Sequence, residues 1–192
     1  MMLLLLASLT FVKSFPNSQP DYYRVTIQDN GDATYATAAD DPKPIKFKVS
    51  EEIAKQAFDL ADKLDHFKGE SLETKKKVAF MGKKTITWES GGDRGETTFN
   101  YSERPEAMEL ASLFERISNT QQADMELQRL MRFDRLGLMK ALLQVEIQLD
   151  KKELADPGFL LPTLQQIAGN KSIMEIARTR ARTIIAKLPN AQ

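Results

Sequence analysis

The sequence predicts an α+β fold: an antiparallel sheet with helices on one face, built as two strand-strand-helix units and followed by an all-helical C-terminal region. Three observations predict it. Between residues 21 and 118, runs that alternate apolar and polar side chains twice give way to runs with apolar residues three and four apart, the periods of strands and helices. The strand runs are apolar on one face only, as in an antiparallel sheet with helices on one side. From about Thr120 the alternation stops and helical spacing alone continues. The expected organisation is a signal-like segment and lead-in at 1–20, a sheet and helix domain at 21–120, and a helical region at 121–192.

The chain starts with "MMLLLLASLTFV", 12 apolar or small residues ended by Lys13. This is too short for a membrane-spanning helix, which needs about 20 such residues, and matches the core of an export signal. No basic residue precedes it and no clean Ala-x-Ala site follows. As an export signal it places the protein in the periplasm or outside the cell, with "SFPNSQPD" as a flexible lead-in; an uncleaved anchor and a buried N-terminal segment are the alternatives. "DYYRVTIQ" sets Tyr23, Val25 and Ile27 against Arg24, Thr26 and Gln28, a half-buried strand. "ATYAT" is the next strand, and the Asn30-Gly31 pair between them predicts a type I′ turn. In "QDNGDATY" the oxygens miss the spacing of an EF-hand calcium loop, which has Gly at position 6 and Glu at 12. "PIKFKV" is a third strand. In "SEEIAKQAFDLADKLDHFKG", Ser50 is the N-cap, Glu51 and Glu52 favour the positive helix end, and Gly69 is the stop.

"ESLETKKKVAFMG" is an irregular loop. "KKTITWE" points Ile86 and Trp88 inward, "SGGDRG" turns, and "ETTFNY" returns Phe99 and Tyr101 to the same face. "SERPEAMELASLFERIS" is the second helix, with Pro105 in its first turn. Beyond Thr120, Leu127, Met131, Leu138, Leu142, Val145 and Leu149 form one stripe, with Gly137 as a kink. "ADPG" breaks it, with Asp156 able to cap and Pro157 at a first helical position. "FLLPTLQQIAGN" is a short helix. Ser172 and Glu175 have the spacing of a capping box for the last one.

Lys+Arg and Asp+Glu are both 27, so no global field draws the chain to nucleic acid. The absence of cysteine removes thiolate chemistry and disulfides. The single histidine, His66, removes multi-histidine metal sites within one chain. His66 falls at the end of the first helix, where the dipole favours its protonated form. A hydrolase would have to use it with carboxylates, and no local nucleophile signature accompanies it, so no catalytic, metal or cofactor site is assigned. Arg178, Arg180 and Arg182 make the last helix basic: a solvated face paired with acidic neighbours, or a contact for anionic lipid. The outward sheet face carries Arg24, Thr26, Gln28, Thr34, Lys46, Lys48, Thr85, Thr87, Glu89, Thr98 and Asn100. Arg24, Thr26, Lys46, Lys48, Thr85, Thr87 and Asn100 are the candidate protein-binding face.

"VAFMGKKTITWE", "TTFNYSE" and "LFERISNTQQ" resemble a family of bacterial exported proteins over about residues 21–188. The paired sheet-and-helix units resemble, more loosely, the repeats of β-lactamase inhibitor proteins, which bind enzymes through a concave sheet, although no inhibitory motif is matched. These resemblances imply a non-catalytic exported protein that binds an unidentified protein partner through its sheet.

Overall fold

The structure, a computed structural model, describes residues 6–189. It is α+β. Six strands form one antiparallel sheet: β1 (Ser8–Ser14), β2 (Tyr22–Gln28), β3 (Asp32–Ala36), β4 (Ile45–Lys48), β5 (Lys83–Ser90) and β6 (Asp93–Phe99), in the order β4-β3-β2-β1-β5-β6. The helices are α1 (Glu51–Lys63), α2 (Pro105–Phe133), α3 (Leu138–Asp150), α4 (Leu161–Gly169) and α5 (Glu175–Lys187). The chain forms two compact units, Met1–Glu115 and Arg116–Gln192, and the boundary falls within α2.

The apolar N-terminal run is the first correction. Its first five residues lie outside the described residues; from Ser8 it is a strand of the sheet. β1 is in the middle of the sheet and pairs along all its length with β2 on one side and β5 on the other. Leu9 and Phe11 are fully buried, while Ser8, Thr10 and Val12 face the other way. This period of two is present in "SLTFV" but is masked by the leucines before it. "SFPNSQPD" is likewise no flexible lead-in. It is the loop closing the β1–β2 hairpin, tied by Phe15 N–H to Asp21 O at 2.8 Å and by Ser18 Oγ to Phe15 O (2.6 Å) and Pro20 O (2.7 Å).

The turns exchange the expected roles. Type I′ geometry needs positive φ at both central residues, and Gly91 (φ 59°) and Gly92 (φ 86°) between β5 and β6 supply it. At Asn30-Gly31 only Gly31 is left-handed, with φ 85°. Gly31 N–H donates to Gln28 O at 2.9 Å, which leaves a three-residue loop of Asp29, Asn30 and Gly31. Asp29 exchanges hydrogen bonds with the chain at Ala7: its own N–H donates to Ala7 O (3.0 Å), and Ala7 N–H donates to Asp29 Oδ2 (3.2 Å). A β-carbon on Gly31 would lie 2.9 Å from Val49 O. The loop therefore docks on two neighbouring segments at once.

One side of the sheet is buried. Leu9, Phe11, Val25, Ile27, Tyr35, Ile86 and Phe99 are at most 1% exposed. Phe114 of α2 stacks on Phe11, centroids 5.1 Å apart and planes 4° from parallel, and Gln56 of α1 donates to Glu109 of α2 at 3.1 Å. Lys84 is buried on this side as well. Its Nζ donates to Asn100 O at 2.8 Å, and burial pulls its pKa below the usual lysine value against the opposing charge of Glu115.

Ser50 caps α1, its hydroxyl accepting from Ile53 N–H at 3.3 Å. The helix stops at Lys63, before the expected Gly69. Asp65 (φ 50°), His66 (φ 50°) and Phe67 (φ 63°) follow as three consecutive left-handed residues. Such residues cost about 1–2 kcal/mol each, and the contacts of this turn offset the cost. Phe67 is buried, the His66 ring stacks on Trp88 at 4.0 Å, and Lys68 lies 5.4 Å over the same indole.

α2 runs on through Thr120, where a domain boundary was expected, because no Gly or Pro interrupts residues 106–136. It ends at Phe133, ahead of Gly137. In the second unit, Thr120 Oγ1 donates to Ala155 O at 2.7 Å, and buried Asp124 accepts from Thr163 Oγ1 (2.5 Å) and Gln128 Nε2 (2.7 Å). The core of that unit includes Leu127, Leu138, Leu142, Leu164, Ile167 and Ile184. The expected capping box is not formed. Ser172 bonds Asn170 Oδ1 through its N–H and its hydroxyl, and α5 starts only at Glu175.

Candidate protein-binding face

The sheet side opposite the core is the broadest array of polar side chains in the first unit, and strand register decides which of them meet. One row crosses all six strands: Lys46, Thr34, Thr26, Thr10, Thr87 and Glu96, each opposite the next. A cation stands at one end, a carboxylate at the other, and four threonines lie between. The neighbouring row sets Arg24 beside Val12, Thr85 and Thr98. Toward the β4 edge, Thr26, Gln28, Asp32, Thr34 and Lys46 line a shallow hollow of about 410 Å³ with Ala33 and Phe47 at its side.

Bonds between side chains order this surface. Thr10 and Thr26 hydroxyls meet at 3.0 Å, and those of Thr85 and Thr98 at 2.9 Å. Thr87 Oγ1 and Arg94 Nη2 both donate to Glu96, at 3.0 and 2.6 Å. The Thr87 bond first, and then Arg94, hold the Glu96 carboxyl below its ordinary pKa. Arg24 donates to Ala39 O at 3.1 Å, and Lys48 reaches Asp32 at 3.6 Å. Lys46 makes no ion pair among the described residues. β-Branched threonines have few rotamers to lose, so the array is ordered before anything meets it.

Of the face expected from sequence, Arg24, Thr26, Lys46, Lys48, Thr85 and Thr87 fall on this surface. Asn100 does not. It follows β6 and works as a clamp: its side chain accepts from Met81 N–H (2.6 Å) and donates to Ala79 O (2.9 Å), while its own N–H donates to Glu73 (2.5 Å). Thr10 and Val12 at the centre, and Glu96 at the end, are absent from the sequence-based set. Thr10 was hidden within the apolar run. The signal that could have found it is the period-two pattern around it.

The arginines of α5 are engaged. Arg178 Nη1 donates to Glu175 at 2.7 Å, Arg182 binds Glu175 and Thr179, and Arg180 binds Glu146 of α3. Lys187 joins Glu146 at 2.9 Å and Asp150 at 3.0 Å. Lys187 first, and then Arg180, hold the Glu146 carboxyl below the usual range. This is an α3–α5 clasp more than a free cationic stripe.

His66, expected at a helix end, belongs to the left-handed turn. Its ring is stacked on Trp88, and Nε2 lies 2.7 Å from Asp62 Oδ1. No serine or threonine hydroxyl shares a hydrogen bond with it among the described residues. Among those residues no group of three carboxylate or histidine side chains is placed to hold a metal ion, and no helix is long and apolar enough to cross a membrane.

No family model matches the chain, and no curated protein matches it.

Proposed function

We propose that the chain is a non-catalytic binding protein whose partner, a folded protein, rests on the open face of the six-stranded sheet. The observation that carries this reading is the row from Lys46 to Glu96. It is wide, ordered by its own hydrogen bonds and oppositely charged at its ends. Complementary charge fixes the orientation of a partner on such a surface, and short threonine side chains allow close approach of another backbone or sheet. The use of His66 as a stacking platform also favours binding over catalysis.

The test is cross-linking of the full chain in its native cells, followed by mass spectrometry, with wild type beside Thr26→Glu and Thr10→Glu. Each variant sets a bulky anion in the middle of the row. A partner cross-linked to Lys46 or Lys48 in wild type and lost in both variants, with melting unchanged, is the expected result. Cross-links that persist in both variants overturn the reading.

A further inference from the structure

The loop between the left-handed turn and β5 combines two features that rarely coincide. Val78, Phe80 and Met81 are 41%, 56% and 57% exposed, three large apolar side chains within four residues. Lys75, Lys76 and Lys77 precede them directly and Lys83 follows. Contiguous exposed apolar surface of this kind commonly marks an interaction site.

The loop is not loose chain. Asn100 holds Ala79 O and Met81 N–H. Thr74 N–H donates to Tyr101 O at 2.9 Å. Phe80 meets Phe15 edge to face, with centroids 5.7 Å apart. The apolar side chains are thus presented by a fixed backbone. Of the nearby carboxylates, Glu103 is neutralised by an ion pair and Glu73 is held by the backbone while keeping its charge. Glu73 accepts from Asn100 N–H, and Glu103 takes Lys76 and Thr74. Lys75, Lys77 and Lys83 are exposed and make no ion pair among the described residues.

We infer that this loop docks on an anionic lipid surface, with Val78, Phe80 and Met81 entering the interface and Lys75, Lys77 and Lys83 meeting lipid phosphates. Apolar side chains bordered by lysine are the composition of interfacial membrane anchors, whose binding adds apolar burial to attraction for anionic headgroups. Protein interfaces are depleted in lysine. The paired arginines of α5 are poorer candidates for the same role.

The test is sedimentation of the full chain with phosphatidylcholine vesicles, with and without 30 mole per cent phosphatidylserine, at low and high salt. About 30 mole per cent is an ordinary anionic fraction for such an assay. Binding is expected to the anionic vesicles and to weaken severalfold as salt screens the headgroups. Phe80→Ser with Met81→Ser, and separately Lys75→Glu with Lys77→Glu, should each weaken it at least about tenfold with unchanged melting, whereas Arg178→Gln with Arg182→Gln should not. Absence of binding to anionic vesicles overturns the inference. So does binding that both loop variants retain, or equal binding to neutral vesicles. If the loop variants lose a cross-linked protein but keep vesicle binding, the loop serves a protein partner and the inference is likewise overturned.

Discussion

Gly95 admits no other residue at its place in β6. A β-carbon there would sit 1.7 Å from the carbonyl oxygen of His66. That contact is backbone, so it cannot be relieved by a rotamer change. Gly95→Ala should cost about 2–3 kcal/mol in urea unfolding, since the left-handed turn must lift off the strand. The sequence showed Gly95 only as part of "SGGDRG", because nothing in its local pattern announces a close approach from His66, far back in the chain. The same limit hid the fate of His66. Its position after an amphipathic helix was legible, but three successive left-handed residues are imposed by the docking of Phe67 and by Trp88, which are tertiary contacts. Ser50 was legible because a cap bonds within its own first turn. Ser172 was misread because Asn170, two residues earlier, competes for its N–H and hydroxyl.

α3 and α5 are joined by Glu146, which takes both Arg180 and Lys187. Its folded pKa is depressed, so its contribution to stability is present above the unfolded glutamate value of about 4.3 and is lost as pH falls through the lower folded value. Glu146→Gln should destabilise by about 1–2 kcal/mol at neutral pH. The gap from wild type in thermal melts should begin to narrow as pH falls below the unfolded value of about 4.3, and should close only below the lower folded value, where the wild-type carboxyl is protonated as well. A gap that does not narrow at all on acidification would show that packing rather than charge is responsible. At this scale the sequence was informative. The periods of β2 to β6 and of the C-terminal helices are legible in single stretches, and Ile173, Ala177, Ile184 and Leu188 of the face expected for the last helix are buried, whereas Ile176, expected with them, is 63% exposed. The misplaced stop, Gly69 for Lys63, is the end of an element, where packing overrides local preference. For the candidate site, side-chain alternation identified six of the face residues. It could not provide register, which is what aligns Lys46 with Glu96 across six strands.

Across the molecule, β1 decides whether the sheet is one body or two. Without it, β2-β3-β4 and β5-β6 share no hydrogen bonds, and both would expose an unpaired edge beside a row of apolar side chains. Deletion of residues 1–14 should abolish cooperative unfolding of the first unit in circular dichroism and yield aggregation-prone protein. Intact-mass measurement of the protein from its native cells should find residues 8–14 retained; a mature chain starting near Asp21 would contradict the architecture. The sheet's end strands are protected in another way. β4 is short, carries Lys46 and Lys48, and follows Pro42 and Pro44, all of which discourage edge-to-edge pairing. The position of β1 also sets an order of events during synthesis. Ser8 to Ser14 leave the ribosome before either strand they pair with, and can fold back on β2 as soon as it emerges. Their other edge pairs Ser14 with Lys83 and Ser8 with Glu89, so it must wait until much of the first unit has emerged. Long-range pairing of this kind is slow, and a nascent chain halted before Ser90 would hold an open strand edge that only the remaining sequence, or a chaperone, can cover.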